Sequence, residues 1–308
     1  MKLKESYDKQ MVTSGGFLNE LEVWSLRDID TRQLSSTQEE ADTRIILHAI
    51  SCEQKCIVVS SRDTDVLVLL LSHFDRINCK ELWMKAGTAK KTKNIPVHDI
   101  VSSISQDILK SLIPFHTLTG CDTTSFIAQH TKWTAWDILK THSHLIENLG
   151  EDNFEESDYK KIEQFFCILY GMPDEISIDK VRLKLFLKKK SPDALPPTSD
   201  ALYLHIKRAH YQSLIWKKAY CPRPILPEPT NYGWEMTDIG LKPILMTKDG
   251  IPESALKFAS FNCTTNCKTK ICGCKKVNLK CTLYCGCVKN DVICCMNAPD
   301  SFDEDDID

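Results

Sequence analysis

Two groups of residues in this 308-residue chain have the types and spacing to do chemistry. The first is Cys263, Cys267, Cys272, Cys274, Cys281, Cys285, Cys287, Cys294 and Cys295, nine of the chain's 15 cysteines. A segment so rich in thiols and so poor in large apolar residues needs an external staple to fold. The other six (Cys52, Cys56, Cys79, Cys121, Cys167, Cys221) are scattered, and the charged N-terminus lacks an apolar leader. Both features predict reduced thiols in the cytosol or nucleus, and the odd count argues against a disulfide framework. In a reducing compartment the staple is a metal, most simply Zn²⁺ held tetrahedrally by thiolates. Cysteines one residue apart, as in Cys272-x-Cys274 and Cys285-x-Cys287, cannot easily serve separate fingers, but they can share bridging thiolates in one cluster.

The second group is acidic: Glu40 and Asp42 beside Glu39, then Asp63 and Asp65, then Asp122 in a Leu-Thr-Gly-Cys-Asp turn. Clustered carboxylates suit hard divalent cations such as Mg²⁺ or Mn²⁺. Two such ions can clamp a phosphodiester undergoing in-line displacement. Each acid also has a local reading. Thr37-x-x-Glu40 has the form of a capping box, and Asp42 falls in the first turn of the helix it would open. Asp63 could cap a helix over 66–73, and Asp122 the helix after it. A residue can be both cap and ligand, so both readings stay open.

The elements that must position these acids are legible in the apolar pattern. Ile45, Ile46, Ala49 and Ile50 have helical period, and Ile57-Val58-Val59 is a short β-branched strand. Asp63 and Asp65 follow that strand's carboxyl end, where open α/β sheets bind ligands. Residues 66–71 predict a buried helix, and Leu82-Trp83-Met84 another strand. Residues 85–93 carry four lysines and read as a loop, either solvated or placed to touch phosphates. Val97 opens a helix carrying Ile100, Val101, Ile104, Ile108 and Leu112 that leads to the Asp122 turn. His116 and His130 flank that turn and read as helix-surface histidines.

The pattern from 133 to 220 is nearly all helical. One helix carries Trp136, Ile138, Leu139, Leu145 and Ile146, another runs from Tyr159 to Tyr170, and a third ends in the basic stretch 188–190. A last, long helix over 201–220 follows the Thr198-Ser-Asp200 cap. Its His205, Lys207, Arg208 and His210, with Tyr203, Tyr211 and Trp216, offer either a basic aromatic face for nucleic acid or the simpler arrangement of aromatics inward and charges outward. Residues 221–255 are a proline-rich arm in which Tyr232-Gly233-Trp234 is expected to dock back. Net charge is −3, yet seven lysines face one aspartate between Lys257 and Asn297, and the tail SFDEDDID is acidic. The longest apolar run, 66–71, is far too short to span a bilayer.

In the order EEAD, S-x-D-x-D, GCD, the acids resemble the core of flap-endonuclease-like nucleases of the PIN-like superfamily over roughly residues 35–130. The resemblance implies metal-dependent phosphodiester hydrolysis, with Glu40, Asp42, Asp63, Asp65 and Asp122 as site residues; Glu39 has no counterpart. The family also takes acids from strands before the first of these. Here Asp28 and Asp30, which follow Val23-Trp24-Ser25-Leu26, are the only nearby candidates, and they match poorly, so the sheet is expected to be N-terminally truncated relative to the family pattern. The cysteine segment, with CGCKK and C-x-x-YCGC at its centre, resembles the tesmin-like CXC domain. That family binds three zinc ions through nine cysteines and contacts DNA, roles that map onto Tyr284, Lys275 and Lys276. Cys274 and Cys281 stand two residues further apart than is usual there, and the final C-x-C-x-x-C is reduced to Cys295. The combined arrangement resembles proteins recurrent in animal genomes and associated with mobile elements.

The expectation is an α/β, PIN-like parallel sheet flanked by helices with a helical extension (1–220), a proline-rich arm (221–255), a CXC-type zinc module (256–300) and an acidic tail (301–308). Functionally it is a nuclear, DNA-directed hydrolase fold with Mg²⁺ or Mn²⁺ at the acids and Zn²⁺ at the cysteines. The alternative is a catalytically degenerate DNA-binding or adaptor protein. A third reading is a structural zinc protein without nucleic acid. The sequence carries no signal for oligomeric state.

Overall fold

The computed structural model describes residues 9–88, 90–188, 194–248, 261–263, 266–276, 279–289 and 295–299. It divides into two compact units, Met1–Met246 and Thr247–Asp308. Cys294, the acidic tail and the basic stretch 189–190 lie outside the described residues.

The first unit is α/β. Its main sheet has three strands, β3 (Cys56–Ser60), β4 (Glu81–Thr88) and β5 (Lys91–Pro96), in that order. β3 and β4 are parallel, with Ile57 opposite Leu82 and Val59 opposite Met84. Between β3 and β4 runs α2 (Thr64–Ser72), and before β3 stands α1 (Ala41–Ile50). Ile57, Leu82 and Met84 are buried while Val58 is 59% exposed, so the core lies on one face of the sheet. A fully parallel sheet requires cover on both faces. This sheet is smaller than expected and mixed, with β5 antiparallel to β4.

That antiparallel strand replaces the predicted lysine loop. β4 and β5 form a hairpin from Trp83 opposite Pro96 to Thr88 opposite Lys91. Its Lys and Thr side chains are exposed, so no period-2 hydrophobic signal marked them as strand. Gly87 is required there: its φ is +91°, and a Cβ would lie 2.2 Å from the Lys91 carbonyl oxygen.

Upstream, β1 (Val12–Ser14) and β2 (Val23–Ser25) form a separate antiparallel pair. Asp30, just after it, is bound to Arg32 at 2.7 Å. The helix predicted to run unbroken from Val97 is two, α3 (Val97–Ser103) and α4 (Gln106–Thr119), because the Ser105 hydroxyl accepts the Ile108 N–H and restarts the helix. Likewise α5 (Lys132–His142) gives way to a 3₁₀ turn, Ser143–Leu145, instead of continuing to Ile146. α6 (Glu156–Leu169) and α7 (Ile178–Leu187) follow as expected.

α8 (Ser199–Lys217) starts at a Thr198 cap and is buried on nearly every face, from Leu202 and Ile206 to Gln212 and Trp216. A helix apolar or satisfied all round sits in a core. Of the two arrangements open from the sequence, the one with aromatics inward is nearer, but charged and polar side chains turn inward as well. Arg208 and His210 are buried, and His205 Nε2 lies 2.8 Å from the Leu118 carbonyl oxygen. Burial lowers His205 and His210 to about 4, leaving both neutral. The arm does dock back. Arg208 donates to the carbonyls of Gly233 and Ile244, and Tyr232 stacks on His210 at 5.6 Å. Trp234–Thr237 and Gly240–Pro243 form the closing hairpin, β6 and β7. No helix among the described residues is long and apolar enough to cross a membrane.

Two glycines test the packing on α8. Gly150 (φ +82°) would place a Cβ 2.5 Å from Ser213 Cβ, whereas Gly171 (φ +75°) has open space. Gly171→Ala is expected to cost about 1 kcal/mol from left-handed backbone strain alone. Gly150→Ala should cost about 1–3 kcal/mol more from overpacking, read as the difference in urea midpoints.

Candidate metal centres

Thiols replace a hydrophobic core in the second unit. Cys263, Cys267, Cys272, Cys274, Cys281, Cys285 and Cys287 are all buried, with Phe261, Leu279, Val288 and Cys295 packed against them. Each C-x-C opens one helical turn, α9 (Gly273–Lys276) and α10 (Gly286–Lys289). Gly273 is needed because a Cβ would lie 2.3 Å from the Phe261 ring. The Phe261 carbonyl accepts the N–H groups of both Cys263 and Gly286 at 2.9 Å, tying the Cys263 segment to the second C-x-C turn.

The sulfur separations distinguish metal from disulfide. Cys263–Cys272 is 3.6 Å, Cys272–Cys281 3.7 Å, Cys274–Cys285 3.4 Å and Cys287–Cys295 3.7 Å. A disulfide requires about 2.05 Å. Tetrahedral zinc with Zn–S near 2.3 Å places its sulfurs about 3.8 Å apart. Three groups have donor atoms within 4.8 Å of one another: Cys267, Cys281, Cys287 and Cys295; Cys263, Cys267 and Cys272; Cys272, Cys274 and Cys281. The donor set fits a thiophilic cation, and these cysteines could hold a metal such as zinc. Cys267, Cys272 and Cys281 each belong to two groups, as bridging requires.

Seven buried thiols cannot share negative charge unaided. Burial and the Cys285 thiol push Cys274 up to about 12. Burial also raises Cys272, but hydrogen bonds from the Lys275 N–H and the Cys267, Cys263 and Cys281 thiols outweigh it and bring it down to about 7. Cys267 occupies the left-handed region at φ +58°, which costs a non-glycine residue conformational energy. Asn297, noted in the sequence only as the segment's end, is buried. Its Nδ2 donates to Leu279 O at 2.9 Å and lies 3.4 Å from Cys281 Sγ. Lys276 is exposed, Lys275 Nζ donates to Lys268 O at 2.8 Å, and Tyr284 is half-buried.

The acids belong to the first unit and come from three places: the start of α1, the start of α2, and the turn after α4. Glu40 is the N-cap of α1 without a side-chain cap bond, so the predicted capping box is not formed. Its carboxylate instead accepts Gln212 Nε2 and Trp216 Nε1, each at 2.7 Å. Asp63 does cap α2, accepting the Asp65 N–H at 2.9 Å. Asp65 is buried, and its Oδ1 lies 2.7 Å from His116 Nε2. His116 is thus a buried partner of Asp65, not the helix-surface residue expected. His130 is half-buried, its ring 4.5 Å from that of Tyr170. Asp122 caps no helix. It sits exposed in a turn closed by the Cys121–Thr124 bridge, with Thr124 Oγ1 donating to Thr117 O at 2.6 Å. Glu39 is exposed.

Asp42 registers the other four acids at once. Burial, then the charges of Asp63, Asp65, Glu40 and Asp122, push its carboxyl up to about 6. Carboxylate oxygens in a shared negative field are the donor chemistry of a hard divalent cation. They are less closely gathered than the thiols, since among the described residues only cysteines form groups within 4.8 Å. Sequence reasoning did not connect these acids with Gln212, or with Trp216, which it had placed on a face of the last helix. The i, i+4 spacing of Gln212 and Trp216, which sets both on one helix face, was the available signal.

The shared thiols give a test. The purified chain should contain zinc by elemental analysis. Cys281→Ser, which touches two groups, should lose about twice the zinc lost by Cys287→Ser, which touches one. Equal loss, or a zinc-free protein after reduced purification, would contradict the cluster. Comparison of the chain with protein-family models, with curated proteins and with solved structures finds no match.

Proposed function

We propose that this chain is a DNA-directed protein of metal-dependent nuclease type, with the acidic group as the phosphodiester site and the cysteine unit as a zinc-bound, DNA-contacting module. One observation supports the reading: acids from three separated segments stand close enough to act on Asp42, and burial together with their charges raises it to about 6. Folding that concentrates five carboxylates costs stability unless a positive ligand offsets it.

A divalent cation such as Mg²⁺ or Mn²⁺ bound there would supply a water of lowered pKa and positive charge facing a phosphate. Asp63 and Asp122 are exposed, Glu40 and Asp42 half-buried and Asp65 buried, so Asp65 would hold the ion from the inner side. The hairpin β4–β5 adds exposed Lys85, Lys91 and Lys93, suited to screening a phosphate backbone. Lys85 O also accepts the Ser61 N–H at 3.2 Å, which places that lysine beside the end of β3. The fold reading that goes with this function is a reduced PIN-like domain.

In the cysteine unit, three zinc ions with three bridging thiolates would use nine cysteines in all. Cys267, Cys272 and Cys281 are the bridges of that scheme. Cys285 completes the group of Cys274, and Cys294 is the remaining cysteine the sequence offers to the group of Cys263. Lys275, Lys276 and Tyr284 are the DNA-contacting candidates of this module, and the setting is nuclear.

A second reading, a non-catalytic DNA-binding or adaptor protein, is favoured by one observation. Glu40 and Asp65 already have partners in Gln212, Trp216 and His116. Cleavage of single-stranded and flap DNA with Mn²⁺ separates the two. The nuclease reading expects Mn²⁺-dependent cleavage that falls at least a hundredfold in Asp63→Asn/Asp65→Asn. DNA binding that weakens with salt, without cleavage, would establish the adaptor instead.

A further inference from the structure

Thiolates bring more charge than the ions they hold. Four of them around one Zn²⁺ leave a net negative charge, and in the second unit the sulfurs are buried. Buried charge needs hydrogen-bond donors as well as counter-ions. Two such donors stand at sulfurs that belong to more than one donor group. The Lys275 N–H lies 3.4 Å from Cys272 Sγ, and Asn297 Nδ2 lies 3.4 Å from Cys281 Sγ. The first is main chain and comes with the C-x-C turn itself. The second is a side chain brought from 16 residues away.

Asn297 meets the Cys281 segment at three points. Its Nδ2 donates to Leu279 O at 2.9 Å, its own carbonyl accepts the Cys281 N–H at 2.9 Å, and Nδ2 faces Cys281 Sγ. A carbonyl oxygen only accepts, so the amide nitrogen and not Oδ1 must face Leu279. That nitrogen carries two hydrogens, and with one on Leu279 O the other is left for the sulfur. Asn297 is 8% exposed, so solvent competes little for either. It also follows Cys295 by two residues, and Cys281 and Cys295 belong to the same four-thiol group. One residue therefore fastens two members of that group to each other.

We infer that Asn297 is a positioning residue of the thiol centre: its side-chain N–H is donated to the Cys281 thiolate, while its other bonds hold the Cys281 and Cys295 segments at the spacing their group needs. The inference rests on reading the cysteines as a zinc centre and adds a residue that ligates nothing itself. Its physical basis is charge. A donor at a shared sulfur offsets negative charge that the ions leave over, at the point where two groups meet. Outer hydrogen bonds of this kind are typically worth about 10–100-fold in metal affinity.

The test uses the full chain loaded with ¹¹³Cd²⁺, which takes thiolate ligands as zinc does and is visible by NMR. A proton hydrogen-bonded to a metal-bound sulfur is coupled to the metal through that bond. The Asn297 side-chain amide should therefore give a ¹H–¹¹³Cd cross-peak that is absent in Asn297→Asp. That variant keeps the size of the side chain and removes the N–H. In its zinc form it should bind the metal about tenfold or more weakly in competition with a chelator, with the circular dichroism spectrum unchanged. A wild-type chain that binds ¹¹³Cd²⁺ through its cysteines without the cross-peak would overturn the inference while leaving the metal centre standing. Folded Asn297→Asp protein with wild-type zinc affinity would do the same. A chain that takes up neither ion would remove the zinc reading and this inference together. If Asn297→Asp does not fold, the wild-type spectrum still decides, because a residue that only fastened the chain would show no coupling to the metal.

Discussion

Glu40 accepts two hydrogen bonds from one face of a buried helix, and much of the first unit is arranged so that they can form. α8 carries Arg208, His210, Gln212, Ser213 and Trp216 into the core, all of them buried. Buried polar groups left unpaired cost about 1–3 kcal/mol each, so each must find a partner, and each partner fixes a different segment. Trp216 and Gln212 fix the start of α1 through Glu40. Ser213 meets Thr117 of α4 at 2.7 Å. His210 accepts the Gly150 N–H at 2.9 Å. Arg208 fixes the β6–β7 hairpin. The Asp122 turn is held the same way, with Thr123 donating to Gln212 Oε1 at 2.8 Å. A helix whose polar residues the sequence set outward or toward nucleic acid is the one that holds these segments together.

Each unit gathers donors of one kind. In the first, carboxylates are drawn together on a surface that leaves Asp63 and Asp122 open to solvent. In the second, thiols are packed where burial opposes their ionisation. On the function proposed above, each arrangement would be offset by a cation, hard in the first case and thiophilic in the second. The degree of assembly differs. The thiols already stand at separations suited to tetrahedral coordination, while the acids share a field without converging on one point.

The legible parts of this chain were those where period and chemistry agree. α1, β3, α2 and the Thr198-capped α8 follow their apolar pattern and caps, and the cysteine unit follows from composition alone. The misreadings share a cause in tertiary context. Residues 85–93 pair as a hairpin with lysines outward, so no alternation betrayed them. Glu40 had the spacing of a capping box, but the hydrogen bonds available from α8 turned its side chain elsewhere. His116 was assigned to a surface because a lone histidine on a helix carries no mark of its distant partner, Asp65. The partnership depends on α2 and α4 packing together, information held in neither segment. Nothing local distinguished α8 as central, since its buried polar side chains read as an exposed pattern.

The account's central claim is that acids far apart in sequence form one electrostatic unit around Asp42. Its most direct measurement is the titration of the Asp42 carboxyl by ¹³C NMR. The predicted midpoint is about 6, above the ordinary carboxylate value of 3.8, and it should fall toward that value in Asp63→Asn and in Asp122→Asn. Because the folded state then holds the proton more tightly than the unfolded one, Asp42's contribution to stability should decline as pH rises from about 4 to 6 and stay low above. A midpoint near 3.8 that does not move in either variant would mean the acids do not act on one another, and the site built on them would fall.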